Sequence, residues 1–152
     1  MNAIHYTVNQ STYPQIEKHL EACYEPESSS LRKYVVLTDY AMKIFSKAEK
    51  FEAWVDGTLV GLVAVYMNTK QSAHVTNVSV LKNFTGEGIA TILIERSIVA
   101  AINKSLDVMT LEVELANHSA LSLYRKIGFV NTSVISTKQV MNLDIKGRDE
   151  TR

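Results

Sequence analysis

A single cysteine among 152 residues cannot close an internal disulfide, so nothing in this sequence requires an oxidising compartment. Two prolines and six glycines are too few for collagen, elastic linkers or Pro-rich disorder. An excess of one charge is also missing: sixteen basic residues balance sixteen acidic ones, which removes the sequence-wide reason to expect nucleic acid or an anionic membrane as a partner. No apolar run approaches the roughly 20 residues that span a bilayer. Met1 to Gln10 lacks the basic segment and apolar core of a secretion signal. These absences predict a cytoplasmic protein. What is present is 46% hydrophobic residues in the length of one ordinary domain, here expected over residues 1–146 with a polar tail over 147–152.

Ile4 to Val8 alternates apolar and polar residues as a strand does. Ser11 and Thr12 offer N-caps ahead of Pro14, and Ile16, Leu20, Cys23 and Tyr24 fall on one helical face. Cys23 reads there as a small buried hydrophobe. After a loop over Glu25 to Ser30, Thr38 or Asp39 is expected to cap a second helix carrying Leu37, Ala41, Ile44, Phe45 and Ala48. From Phe51 the period changes to two. Phe51 to Val55, Asp56-Gly57 and Leu59 to Tyr66 form a hairpin, because Asp-Gly supplies the positive φ values of a two-residue turn. Its second strand is apolar almost throughout and should lie in a sheet covered on both faces, with Gly61 marking a bulge or a close approach. His74 to Leu81 is a further strand. Ile89 to Lys104 is a helix apolar nearly all round, with Thr91 and Glu95 as a thin polar stripe, and should be largely buried. A strand over Val108 to Leu115 follows, then a helix from Ser119 to Ile127 ended by Gly128, then a hairpin of Phe129 to Ile135 and Lys138 to Ile145.

The strand and helix of the middle region are joined by Val78-Ser-Val-Leu-Lys-Asn-Phe-Thr-Gly-Glu-Gly-Ile-Ala-Thr91. Two glycines let backbone N–H groups converge without Cβ obstruction, and the helix start adds unpaired N–H groups and a positive dipole end. That is a cradle for a diphosphate; a tight turn without a ligand is the alternative. No P-loop string occurs in the chain. The third glycine of a dinucleotide loop is replaced by Thr91, and too little sequence follows for the remaining βα units.

Gly88-Ile89-Ala90 resembles the core of motif A of the GCN5-related N-acetyltransferase (GNAT) family, in which Gln/Arg-x-x-Gly-x-Gly/Ala follows a strand and holds the pyrophosphate of coenzyme A. Thr110 to Phe129 resembles the family's motif B, Asn-x-x-Ala-x-x-x-Tyr followed by Gly-Phe, with Asn117, Ala120, Tyr124, Gly128 and Phe129 at those positions. The Gln/Arg position is Thr85, a departure that touches a side-chain contact to phosphate but not the backbone cradle. The resemblance implies an α/β (α+β) GNAT fold, with a central mixed sheet of about seven strands and helices on both faces. It also implies acetyl-CoA as cosubstrate and no metal.

Acyl transfer from a thioester to an amine needs a held thioester, a polarised carbonyl, a deprotonated amine and a proton for the leaving thiolate. The resemblance gives the backbone of Val78, Ser79 and Val80 to the pantetheine arm and acetyl carbonyl. It gives Gly86, Glu87, Gly88, Ile89, Ala90 and Thr91 to the pyrophosphate, with the Glu87 carboxylate turned to solvent. Asn117 would bond the pantetheine arm, and capping the next helix is a compatible second role. Tyr124 becomes the general acid. Glu112 matches the Leu-Glu-Val base position of some members; Glu114 on the same strand side and His74 are further candidates, with structural roles as the alternative for each. Acceptor-side residues are expected among Tyr34, Tyr40, Lys43, Tyr66, Asn68 and His74, of which Tyr40, Tyr66, Asn68 and His74 form the substrate set. The blocks Tyr40 to Ala48, Phe51 to Gly57 and Val65 to Asn68 are similar to acetyltransferases of bacterial surface-sugar biosynthesis, which points to an amino sugar or sugar nucleotide as the small-molecule amine. A protein or peptide amine, or a noncatalytic acyl-CoA sensor, is the alternative. A monomer or homodimer is expected.

Overall fold

The computed structural model describes residues 3–24 and 31–147, and the side chains of all of these except 31–35. In chain order the elements are β1 (His5–Val8), α1 (Tyr13–Cys23), α2 (Leu31–Lys47), β2 (Glu49–Val55), β3 (Thr58–Tyr66), β4 (Ser72–Val80), a short 3-10 turn (Lys82–Phe84), α3 (Ile89–Asn103), β5 (Val108–Glu114), α4 (His118–Ile127), β6 (Val130–Ile135) and β7 (Lys138–Asp144). The strands form one sheet in the order β1-β2-β3-β4-β5-β7-β6. Among the described strands only the β4–β5 pair is parallel, as expected where a helix makes the crossover.

Local chemistry sets most of these boundaries. Asp56 and Gly57 take φ values of 49° and 78°, closing the β2–β3 hairpin. Thr12 and Gln15 form a capping box at the head of α1. Just before it, the fully buried Glu52 carboxylate accepts from Gln10 N–H (2.9 Å), Ser11 N–H (2.7 Å), Thr7 Oγ1 (2.6 Å) and Ser11 Oγ, pinning the turn from β1 into α1. Lys50 is buried as well, and its Nζ donates to the Phe45 and Ala48 carbonyls at the end of α2. Thr38 and Asp39, read from the sequence as caps, lie inside α2, which begins at Leu31. The loop expected over Glu25 to Ser30 lies outside the described residues, as does the tail beyond Gly147.

β3 runs through the centre with alternate residues in two cores. Val60, Val63 and Val65 pack with α3, α4 and the Met109, Leu111, Met141 and Leu143 side chains, while Leu59, Leu62 and Ala64 pack with Ile16 and Leu20 of α1 and Ala41 and Ile44 of α2. Gly61 answers both readings of a strand glycine. It pairs with Ala53 beside a register shift, and a Cβ on it would stand 2.7 Å from Ile89 Cγ2. α3 is less enveloped than its composition implies: Ile89, Leu93, Ile94, Ile98 and Ala101 face the core, and Val99 is exposed.

Candidate active site

The parallel pair β4–β5 runs only from Ser72↔Val108 to Val75↔Leu111, although both strands continue. Two features part them. Thr76 is an extra residue in β4, because Val75 pairs with Val65 and Asn77 with Ala64. Such a bulge twists its strand away from the next. β5, meanwhile, stays paired to β7 along its whole length, from Val108↔Asp144 to Glu114↔Lys138. Between the strands opens a cleft of about 180 Å³, whose lining includes Tyr24, Thr76, Val78, Glu112, Asn117 and Tyr124. The Tyr40 hydroxyl donates to the Thr76 carbonyl at 2.6 Å and so braces the bulge.

Beyond β4 the glycine loop meets the head of α3. Gly86 and Gly88 both have φ of +81°, and a Cβ on either would meet nothing within 4 Å. Glycine is therefore needed here for backbone conformation and not for space. Gly88 caps α3 with no side-chain hydrogen bond, and the first helical bond runs from Ile92 N–H to Gly88 O at 3.1 Å. The N–H groups ahead of Ile92 have no helical carbonyl to bond and could hold an anion. The side chains contribute little to it. Ile89 is buried against Gly61, Ala90 and Thr91 are half-buried, and Glu87 is exposed. Thr85 Oγ1 donates to the Lys82 carbonyl at 2.9 Å, within the 3-10 turn. A backbone cradle next to an opening between strands fits a ligand with a pyrophosphate and a long thin arm.

Tyr124 lies in the cleft wall, 6% exposed and edge-on to Phe129 with ring centroids 6.1 Å apart. Burial, with the nearby Tyr24 as a lesser cause, pushes its hydroxyl up to about 12. It is therefore protonated at neutral pH and able to donate a hydrogen bond. Asn117 caps α4, its Oδ1 accepting from Ala120 N–H at 3.2 Å and Ser119 Oγ at 3.3 Å. Glu112 is exposed in the cleft. Glu114 is also exposed there, but accepts from Thr137 Oγ1 at 2.8 Å. Of the other strand residues, Val78 lines the cleft, Val80 packs toward the α3 core, and the Ser79 side chain turns under α1 to His19.

The acceptor-side residues divide. Tyr66, His74, Thr110 and Asn142 pair in turn across β3, β4, β5 and β7 as one polar row, with His74 Nδ1 2.7 Å from Thr110 Oγ1. Tyr66 Oη and Asn142 Oδ1 are buried and have no hydrogen-bond partner among the described residues. Lys43 lies over the Tyr66 ring at 5.4 Å. Tyr40 is committed to the bulge, Asn68 is exposed beyond the end of β3, and the Tyr34 side chain lies outside the described ones. Sequence reasoning missed Tyr24, Thr110 and Asn142. Pairing register alone could have found the last two, since they share a row with His74. Tyr24 was legible only as the last apolar-face position of α1.

The fold is that of the GNAT acetyltransferases: the crystal structure of the ribosomal-protein-S18-alanine N-acetyltransferase from Escherichia coli superposes with a TM-score of 0.75, covering 100% of this chain and 99% of that one at 18% identity. The family model for the acetyltransferase (GNAT) family matches residues 13–129, and the chain belongs to that family. Members of the family bind acetyl-CoA or CoA. Among curated relatives, N-alpha-acetyltransferase MAK3 of Arabidopsis thaliana is 30% identical over 67% of this chain and 53% of its own length. An N-alpha-acetyltransferase of Saccharolobus solfataricus is 32% identical over 56% of this chain and 58% of its own. The chain thus spans little more than half the length of these relatives. Among the described residues, no helix is long and apolar enough to cross a membrane, and no group of three or more His, Cys, Asp or Glu is arranged to hold a metal.

Proposed function

We propose that the protein is an N-acetyltransferase that moves an acetyl group from acetyl-CoA directly to a primary amine, both substrates meeting in the β4–β5 cleft. The observation that carries this reading is the parting of those strands, with a glycine cradle at one end and a protonated, buried Tyr124 in the wall. Acetyl-CoA supplies an activated thioester; holding it and managing protons falls to the chain. The backbone of residues 86–91 holds the pyrophosphate. The unpaired edge of Val78, Ser79 and Val80, with the Asn117 amide, holds the pantetheine arm and acetyl carbonyl. Tyr124 donates its proton to the leaving sulfur, and Glu112 takes the proton of the acceptor ammonium, directly or through water.

The acceptor we favour is the α-amino group of a polypeptide, ahead of the amino sugar inferred from sequence. Its support is that the curated relatives reported above are N-alpha-acetyltransferases. The test follows CoA release with a thiol reagent, offering acetyl-CoA with a peptide bearing a free α-amine, the same peptide blocked, a lysine side-chain amine and an amino sugar. Release with the free peptide and none with the blocked one is expected. Release with the amino sugar alone would reverse the choice of acceptor. Binding of CoA without turnover of any amine would leave a sensor, and no CoA binding would remove the reading altogether.

A further inference from the structure

One buried feature ends in this cleft without belonging to any assigned role. His19 of α1, 3% exposed, has Nδ1 2.9 Å from the Leu59 carbonyl and Nε2 2.8 Å from Ser79 Oγ, with the half-buried Cys23 Sγ 3.6 Å from the same Nε2 as a weaker partner. Ser79 Oγ lies 2.7 Å from the Asn77 side-chain carbonyl, and the Asn77 amide nitrogen lies 2.9 Å from the Tyr24 hydroxyl. Asn77 is 3% exposed and Ser79 9%. Tyr24 closes the chain at the cleft, which it lines together with Tyr124 and Glu112.

Counting donors along this chain leaves two arrangements. A carbonyl only accepts, so His19 Nδ1 carries a proton. With His19 neutral, Nε2 accepts, and the single Ser79 hydroxyl proton is spent on it. Two oxygens 2.7 Å apart need a proton between them, so the Asn77 amide turns its NH2 toward Ser79 and its carbonyl toward Tyr24 and the nearby Tyr40. Tyr24 donates inward, and its oxygen offers lone pairs to the cleft. With His19 charged, the Nδ1 bond to Leu59 stays, the three bonds from Nε2 through Ser79 and Asn77 to Tyr24 reverse, and the Tyr24 proton faces the cleft instead. His19 is 3% exposed and its ring nitrogens touch only a carbonyl, a hydroxyl and a thiol, with no carboxylate to balance a charge, so burial outweighs the two hydrogen bonds that favour protonation and selects the neutral arrangement. An amide in the middle transmits polarity but not protons, so the chain orients and does not relay.

We propose that Tyr24 is an acceptor-orienting residue of the site: held through Asn77 and Ser79 by neutral His19, it accepts a hydrogen bond from the substrate amine while Tyr124 donates to the leaving sulfur. This rests on the N-acetyltransferase reading. It divides two neighbouring tyrosines into one acceptor and one donor by what lies behind each.

The test has an arm that needs no substrate. Long-range proton–nitrogen correlation on the full chain with labelled histidine, its signals assigned with His19→Gln, reads the His19 tautomer at pH 7. A neutral ring protonated at Nδ1 is expected; an imidazolium, or a ring protonated at Nε2, would overturn the proposal. In the second arm, Tyr24→Phe removes the hydrogen bond to the substrate amine together with the one to Asn77. It should raise KM for the free α-amine peptide about fivefold, with a smaller change in kcat and unchanged CoA affinity. Unaltered KM in a variant that binds CoA and turns over would also overturn it. If wild-type protein binds no CoA, the underlying reading fails separately, and the tautomer still decides the polarity.

Discussion

The two halves of the sheet are built on different terms. β2 and β3 are buried on both faces between α1 and α2 on one side and α3 on the other, and seven consecutive residues of β3, from Leu59 to Val65, are buried. β5 and β7 alternate instead: Met109, Leu111 and Val113 face the core, as do Gln139, Met141 and Leu143, while Glu112, Glu114 and Lys138 face outward. All six residues of edge strand β6 are exposed. The first half is a scaffold, with β3 covered on both faces. The second half leaves one face open, and the polar side chains that can do chemistry stand there. The cleft forms at the seam, where a strand tied to the rigid half parts from one tied to the open half. A rigid wall facing an accessible one is what positioned chemistry needs.

Matched truncations test this contrast most strongly. Leu62, fully buried between β3 and the α1–α2 layer, should cost about 2–5 kcal/mol when changed to Ala. Val130→Ala on β6, where Val130 is 59% exposed, should cost no more than about 0.5 kcal/mol. Denaturant midpoints would measure both, and comparable losses at the two positions would erase the distinction. A smaller effect is expected at the seam. Tyr124→Phe keeps the buried ring and its edge contact with Phe129 but removes the proton donor. It should lower kcat about a hundredfold while CoA affinity and stability stay near wild type. Unchanged turnover would make Tyr124 only a packing residue.

Much of the covered half was legible because it obeys local rules. Asp56-Gly57 set the hairpin, and the unbroken apolar run of β3 announced burial on both faces. The glycine loop was readable for the same reason, since the φ values at Gly86 and Gly88 exclude most side chains wherever they occur. What sequence could not show depends on distant partners. Thr38 and Asp39 have the residue type of a cap, but a helix start is fixed by what precedes it, and α2 begins at Leu31. Strand period put Glu112 and Glu114 on the same side, and only resemblance favoured Glu112; that Thr137 of the β6–β7 turn engages Glu114 could be seen only in the fold. Nothing in the α1 sequence marks His19 as a buried polar anchor, because Leu59 and Ser79, which define it, lie 40 and 60 residues away.

His19 also supplies the smallest and most specific test, since it ties the covered half to the seam. Folding removes it from water with no carboxylate beside it and only the Cys23 thiol 3.6 Å away, so its folded-state proton affinity lies below the ordinary value of 6.5. Above that pH both folded and unfolded chains carry a neutral ring, and its contribution to stability is complete. As the pH falls below 6.5 the unfolded chain takes up the proton first, so stability drops by at most about 1.4 kcal/mol per pH unit from this group. His19→Gln removes the titration while keeping a donor and an acceptor. The stability gap between wild type and variant, measured by denaturant unfolding at pH 7.5 and 5.5, should therefore narrow at the lower pH. A gap that stays constant would mean that His19 titrates alike in both states, and the rigid half would then reach the cleft through a hydrated chain instead of a buried one.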